Sequence, residues 1–125
     1  MTAVGDATQL LNNANISGID NIYPFFIPQN KQMATNTTDV LVTDVGEDYE
    51  DYGSNRATTT SNVVAVNIYK GSKTKESLDT IDNAIVSFFE LNKWTVIYSG
   101  PIQIDPTTYQ KFKTYQFKEF KERRN

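Results

Sequence analysis

The first candidates for chemistry are acidic side chains in the middle of the chain, together with two tyrosines and one arginine: Glu47, Asp48, Tyr49, Glu50, Asp51, Tyr52 and Arg56. Closely spaced carboxylates suit a bound cation. A calcium loop of the EF-hand type also requires alternating oxygen donors, a central glycine and a glutamate at its twelfth position. The segment has the charges without that spacing. We therefore predict no metal site and no cofactor.

A second candidate is a short magnesium-nuclease pattern formed by Asp105 with Glu119 and Lys121. In such a site the two carboxylates hold the metal and the lysine orients the attacking water. The pattern is short enough to occur by chance. The chain also contains no histidine and no cysteine, which removes the commonest general base and all thiol chemistry. We predict that the protein is not an enzyme, and a small metal-dependent nuclease is the alternative from another class.

Basic side chains concentrate near the C-terminus: Lys111, Lys113, Lys118, Lys121, Arg123 and Arg124. Residues 1–109 carry a formal charge of −7 and residues 110–125 carry +4. A nucleic-acid-binding module is one interpretation, with Phe112, Tyr115 or Phe117 stacking on bases. The acidic body would repel a polyanion, however. An amphipathic strand, with its aromatic residues in the core and its lysines in water, is the interpretation we favour over nucleic-acid binding. For the basic residues, two interpretations stay open: a basic partner face that makes charge-complementary contacts, with a basic tail over residues 118–125, or a solvated lysine-rich end that aids solubility.

The acidic segment is interpreted as an interface. Gly46 interrupts a strand-like run, so residues 46–57 are predicted to form a loop, and repulsion among its carboxylates makes it mobile in an isolated subunit. A partner that supplies lysine or arginine would relieve that repulsion. Tyr49 and Tyr52 favour the same interpretation, because tyrosine offers a large contact area with a polar tip.

Hydrophobic periodicity predicts the elements that position these residues. Apolar residues at helical spacing indicate a helix over residues 3–14 and a second helix from Leu78 to Phe89. Strands are predicted over 22–27, 39–45, 62–69, 94–99 and about 108–120, all from runs of apolar and β-branched residues. The prediction is one α+β domain over residues 1–125, with two layers. Two helices pack on one face of a mixed, mostly antiparallel sheet of four to five strands.

Three details of the sheet also follow from the pattern. Pro24 lacks an amide donor, which indicates an edge strand, whereas the strand over 62–69 is apolar on both faces and is predicted to be central. Trp94, Val96 and Tyr98 alternate, which places them on one face. In the last strand, Tyr115 and Phe117 have the opposite parity to Phe112 and Phe120, so we expect a bulge or a twisted edge strand.

No secretory signal or membrane span is expected. The first residues lack a basic start and a long apolar stretch, and the longest apolar run falls below the roughly 18 residues that a membrane helix needs. We therefore expect a soluble protein made in a cytoplasm, with no membrane partner.

Several segments, in this order, resemble the small minor-tail family of siphophages that infect Gram-positive hosts. They are the opening helix, 51–55 (DYGSN), 87–94 (SFFELNKW), 98–100 (YSG), 105–110 (DPTTYQ) and 115–117 (YQF). The layout is also similar to that of lambda-type tail terminators.

The resemblance implies a structural virion protein at the head-proximal end of the tail, assembled in the bacterial host cytoplasm. A tail-terminator subunit of this type forms a ring, usually of six copies. The ring caps the tail tube and joins it to the head, so its partners are copies of itself, the major tail protein and a head-completion or neck protein. A head-closure protein is the alternative within this class. The acidic segment would either meet a neighbour's basic residues or line the lumen, where transient contact with passing DNA occurs.

Overall fold

The computed structural model describes residues 2–28, 36–53, 56–73 and 77–122, and for 48–53, 56–59 and 121–122 it describes the backbone alone. Its elements in chain order are α1 (Ala3–Ala14), β1 (Asn21–Pro24), β2 (Asp39–Gly53), β3 (Arg56–Tyr69), α2 (Leu78–Leu91), β4 (Thr95–Ser99), β5 (Gln103–Ile104) and β6 (Lys111–Glu122). The predicted α+β class is confirmed. The sheet has six strands where four to five were predicted, because Gln103–Ile104, which none of the predicted strands includes, pairs with β6.

Both helices begin at a side-chain cap. The Thr2 hydroxyl accepts a hydrogen bond from the Gly5 amide at 3.0 Å, and the Ser77 hydroxyl accepts one from the Thr80 amide at 3.2 Å. Each bond satisfies a backbone donor that has no partner within the helix. α1 ends at Asn15, whose φ of 49° lies in the left-handed region that commonly terminates helices.

The sheet has the strand order β1-β2-β3-β6-β4, and β5 pairs with the first residues of β6. β1 is parallel to β2 and the other pairs are antiparallel. Two predictions are confirmed: β3 lies inside the sheet, and the strand that contains Pro24 lies at its edge. β2 and β3 are the longest strands, with 15 and 14 residues, and they pair along almost their whole length.

The expected irregularity in the last strand was wrong. β6 lies between β3 and β4, and its register with β3 is unbroken from Phe112 to Glu122. The parity of its aromatic residues instead reflects the two faces of the sheet: Tyr115 and Phe117 are buried under the helices, whereas Phe112 is half-buried on the other face. One bulge lies in β4, between Val96 and Tyr98. This bulge ends the predicted alternation, which had placed Trp94, Val96 and Tyr98 on one face.

The predicted loop over 46–57 was also wrong, because the backbone continues as strand. β2 runs to Gly53 and β3 begins at Arg56, and the two stay paired from Glu47–Asn62 to Gly53–Arg56. A bulge between Asp44 and Gly46 marks the place where the sequence suggested a break. The polar excursion is therefore a long β-hairpin, since cross-strand pairing supplies the backbone hydrogen bonds that the sequence pattern alone does not reveal.

Both helices pack on one face of the sheet, as predicted, and share one hydrophobic core with it. Val4, Leu11, Ile81, Ile85 and Phe89 contribute from the helices. The strands contribute Val40 and Val42 from β2, Val64, Val66 and Ile68 from β3, and Tyr115 and Phe117 from β6. The ring centroids of Phe89 and Phe117 lie 4.2 Å apart in a stacked arrangement, and Trp94 packs edge-on against Phe89 at 5.5 Å.

Candidate assembly surface

The acidic residues belong to a three-stranded extension of the sheet, which we call the arm: residues 47–53 of β2, 56–62 of β3 and 119–122 of β6. Four rows of residues cross it in register, namely Glu47–Asn62–Glu119, Asp48–Ser61–Phe120, Tyr49–Thr60–Lys121 and Glu50–Thr59–Glu122. The core residues of these strands end at Val42, Val64 and Phe117. None of the arm side chains that the structure describes belongs to the hydrophobic core.

The arm has two outer edges. β1 pairs with β2 only as far as Val42, and β4 pairs with β6 only as far as Lys118. Beyond these points, no described strand pairs with the outer side of β2 or of β6. Unpaired strand edges can accept a strand from another chain, and charged residues along an edge prevent indiscriminate pairing. The acidic composition of 47–51 is of the kind that keeps such an edge from pairing indiscriminately.

The predicted basic partner face is divided between the two ends of β6. Lys118 and Lys121 lie at or in the arm, and the Lys118 ammonium lies 4.9 Å from the centre of the Phe120 ring. Only β3 separates them from the acidic strand, so the acidic and basic strands of one subunit are ~10 Å apart, two strand spacings. Lys111 and Lys113 lie at the opposite end of β6, and Arg123 and Arg124 lie outside the described residues.

Lys113 is committed to a contact within its own chain. Its ammonium lies 3.0 Å from Asp82 Oδ2, and the Tyr115 hydroxyl donates a hydrogen bond to the same oxygen at 2.7 Å. The tyrosine hydroxyl and the carboxylate raise the pKa of Lys113 above its usual value, although partial burial lowers it. Asp82 itself is 2% exposed, a burial that the sequence pattern did not predict. The burial of Asp82 does not show in the pattern of α2 because it depends on Lys113 and Tyr115, which lie 31 and 33 residues away along the chain.

The structure does not bring the nuclease pattern together. Asp105 caps the turn before β6, where its carboxylate accepts hydrogen bonds from the amides of Thr107 and Thr108 at 2.8 and 3.3 Å. Glu119 lies eight residues beyond the start of β6, a separation of ~26 Å along an extended strand. Two carboxylates that far apart cannot share one metal ion.

The aromatic residues proposed to stack on bases have other contacts. Tyr115 and Phe117 are 5% and 0% exposed and lie in the core. Phe112 is half-buried and stacks on Tyr69 with ring centroids 5.3 Å apart. These rings do not form an exposed stacking platform, which is what single-stranded nucleic acid requires.

The model of a protein family described as "Protein of unknown function (DUF806)" matches residues 2–121, which include both helices and every strand except the last residue of β6. No match was found among curated proteins. Among residues 2–28, 36–53, 56–73 and 77–122, no helix has the length and apolar character of a membrane span.

Proposed function

We propose that this chain, which belongs to the DUF806 family, is a structural subunit of a siphophage tail. In this proposal it is a tail terminator: a ring of copies, usually six, caps the tube of major tail protein and joins it to a head-completion or neck protein. It acts in the virion by assembly and without catalysis. The order of segments that resembles minor-tail proteins of siphophages of Gram-positive hosts motivates the proposal.

The single observation that supports it best is the arm. A strand of 15 residues contributes Val40 and Val42 to the hydrophobic core, and its second half carries four carboxylates on an edge without a described strand partner. A subunit that worked alone would gain little stability from that half. A subunit that contacts its neighbours would use it as contact surface, because extended strands at an edge offer both backbone donors and specific side chains.

Ring formation requires that one face of each subunit complement a different face of the next. The acidic segment of the arm provides one such face. The Tyr49 and Tyr52 side-chain types in the same segment suit an interface, since aromatic residues with polar tips are enriched in contact surfaces. DNA that passes through such a ring would meet mainly carboxylates wherever the acidic segment 47–51 of the arm reaches the lumen, which would limit sticking.

The test uses the phage whose genome encodes the chain. Deleting the gene should produce tubes of uncontrolled length that do not join heads, and a plasmid copy of the wild-type gene should restore normal particles. A second plasmid should carry a chain in which residues 48–61 are replaced by Asn-Gly, which joins Glu47 to its register partner Asn62 through a two-residue hairpin turn. That variant should fold and fail to restore tails.

Electron microscopy of tail length and of head attachment provides the measurement, and thermal unfolding of the purified variant is the folding control. Tails of normal length on filled heads in the deletion strain would contradict the proposal. Mature tails of normal length that fail to attach to heads would contradict the terminator role and assign the chain to head closure.

A further inference from the structure

The end of the sheet opposite the arm carries an open groove, which the sequence did not indicate. It has a volume of about 550 Å³ and lies between the end of β3, the start of α2 and the turn before β6. We call it the basal groove and define it by Lys70, Leu78, Ile102, Tyr109 and Lys111.

The fold holds an aromatic side chain outward at the rim of this groove. Tyr109 is 80% exposed and has a φ of 60°, a conformation that residues with a Cβ rarely adopt. Its amide donates to the Asp105 carbonyl at 2.7 Å, and the Asp105 amide donates to the Gln110 carbonyl at 2.9 Å. Strained residues persist where the surroundings fix them, and they often do so at binding sites. The turn therefore displays Tyr109 as a consequence of its own hydrogen bonds.

The turn that carries Tyr109 is also held in place against the end of β3. Gln110 is buried, and its side-chain amide donates to the Lys70 carbonyl at 3.3 Å, which ties the turn to the end of β3. Ile102 and Ile104 beside the turn are 49% and 61% exposed. Exposed aliphatic side chains next to a fixed, exposed tyrosine are typical of a contact surface rather than of a free one.

The charge of the groove is opposite to that of the arm. Lys70 and Lys111 contribute two ammonium groups to the described lining and Asp79 contributes one carboxylate, while Lys73 is exposed in the adjoining turn. The arm carries six acidic residues against two basic ones, Arg56 and Lys121; the acidic ones are Glu47, Asp48, Glu50, Asp51, Glu119 and Glu122. Opposite charge at two surfaces favours their association and fixes its register.

The two surfaces cannot meet within one molecule. β3 leads from the arm to the groove. Asn62, the register partner of Glu47, lies eight residues before Lys70, ~26 Å along an extended strand, and Arg56 lies farther still. We infer that the basal groove binds the acidic hairpin, residues 47–53, of a second copy of this chain. The contact is head-to-tail, which closes into a ring where the rotation between subunits permits. This inference rests on the self-assembly part of the proposed function.

The test is a charge swap on the full chain, measured by sedimentation velocity across concentration. Lys70→Glu with Lys111→Glu reverses the groove, and Glu50→Lys with Asp51→Lys reverses the hairpin. Each pair alone should raise the dissociation constant at least about tenfold, and the variant with all four changes should recover association because the charges are again opposite. Lys93→Glu is a single-charge control outside the groove: this exposed lysine precedes β4, whose first residue pairs with Lys118 at the other end of β6.

A second variant tests the tyrosine without threatening the fold. Tyr109→Asn removes the ring and places at φ 60° a residue type that tolerates this conformation, so thermal stability should not fall while association weakens. Three outcomes would each overturn the inference. They are wild-type association in the groove variant, no recovery in the fourfold variant, and a monomeric wild-type chain at millimolar concentration. Normal tail rescue by the groove variant would overturn it too and leave the tail role standing. Groove-dependent rings from a gene whose deletion leaves tails intact would support the inference and contradict the tail role.

Discussion

The two halves of the β2–β3 hairpin form one continuous ladder and yet differ in almost every other property. The half that includes Val40, Val42, Val64, Val66 and Ile68 is buried under two helices. The other half is the arm, where acidic residues on β2 pair with a run of threonines and serine on β3. Backbone pairing is the same in both halves, so pairing alone does not distinguish a folding element from a contact element. The burial of apolar side chains distinguishes the two halves.

The half of the hairpin under the helices, which we call the covered half, provides most of the stability of the fold. Burial of apolar side chains is the largest favourable contribution to folding, and the fully buried apolar side chains that the structure describes lie there, in the helices above or, as Phe117, in β6. The arm contributes backbone hydrogen bonds, whose net value is small because water competes for the same groups. We therefore expect substitutions in the two halves to affect different measurements: the free energy of unfolding in one and the dissociation constant in the other.

The largest difference should come from Phe89→Ala compared with Glu47→Ala. Phe89 is fully buried between Phe117 and Trp94, and its truncation leaves a cavity that should cost about 3–5 kcal/mol of unfolding free energy. Glu47 is exposed in the arm, and its truncation should change that free energy by less than about 0.5 kcal/mol. Urea denaturation of both variants provides the measurement. A loss at Glu47 comparable to that at Phe89 would show that the arm stabilises the monomer.

Much of the covered half could be predicted from the sequence, because its signals are local. The helix over 3–14 matches α1. Of the apolar stripe predicted for α2, Leu78, Ile81, Ile85 and Phe89 are buried, whereas Phe88 is half-buried. β-branched residues in 62–69 identified the central strand. These patterns work because a helix or strand that is covered on one face must repeat its apolar residues with its own period.

The arm and the groove could not be predicted in the same way, because they depend on distant partners. Residues 47–53 have a loop-like composition, and the strand appears only because β3 continues opposite it and β6 continues opposite β3. Asp82 is buried by Lys113 and Tyr115, which no periodicity in α2 reveals. The exposure of Tyr109 follows from hydrogen bonds that close its turn.

Two glycines give a smaller contrast, between the groove end of the sheet and the base of the arm. A Cβ added at Gly71 would clash with the backbone of Thr37 and lie 2.7 Å from the Asn36 carbonyl oxygen. A Cβ added at Gly46, in the bulge at the base of the arm, would have no described atom within 4 Å. Gly71→Ala should therefore cost about 2–3 kcal/mol of unfolding free energy. Gly46→Ala should be neutral or stabilising by up to about 1 kcal/mol.

Thermal and urea unfolding of both glycine variants tests the contrast. The Gly71 amide also donates to the buried Thr38 hydroxyl at 2.9 Å, so movement away from the clash would weaken that bond as well. Equal effects at the two positions would contradict the view that the groove end is tightly packed and the base of the arm is open.

The smallest expected effect concerns pH and the ion pair of the covered half. Lys113 bonds to Asp82, and its pKa is raised above 10.5 in the folded protein, first by the Tyr115 hydroxyl and then by the Asp82 carboxylate. A cation whose pKa is raised by folding contributes stability that is fully present below the unfolded value and is lost as pH rises through the folded value. Lys113→Met should cost about 1–2 kcal/mol of unfolding free energy at pH 8.

The difference between wild type and Lys113→Met should stay constant at neutral and mildly alkaline pH and shrink above about pH 10.5. Tyr69 also has a raised pKa, from burial and then from Asp105, so both proteins lose stability in alkali. That loss is common to wild type and variant and cancels in the difference. Urea titrations at pH 8, 9.5 and 11 measure it. A difference that stays unchanged at pH 11 would mean that the lysine acts through its aliphatic stem, and that the ammonium of this ion pair contributes nothing to the stability of the covered half.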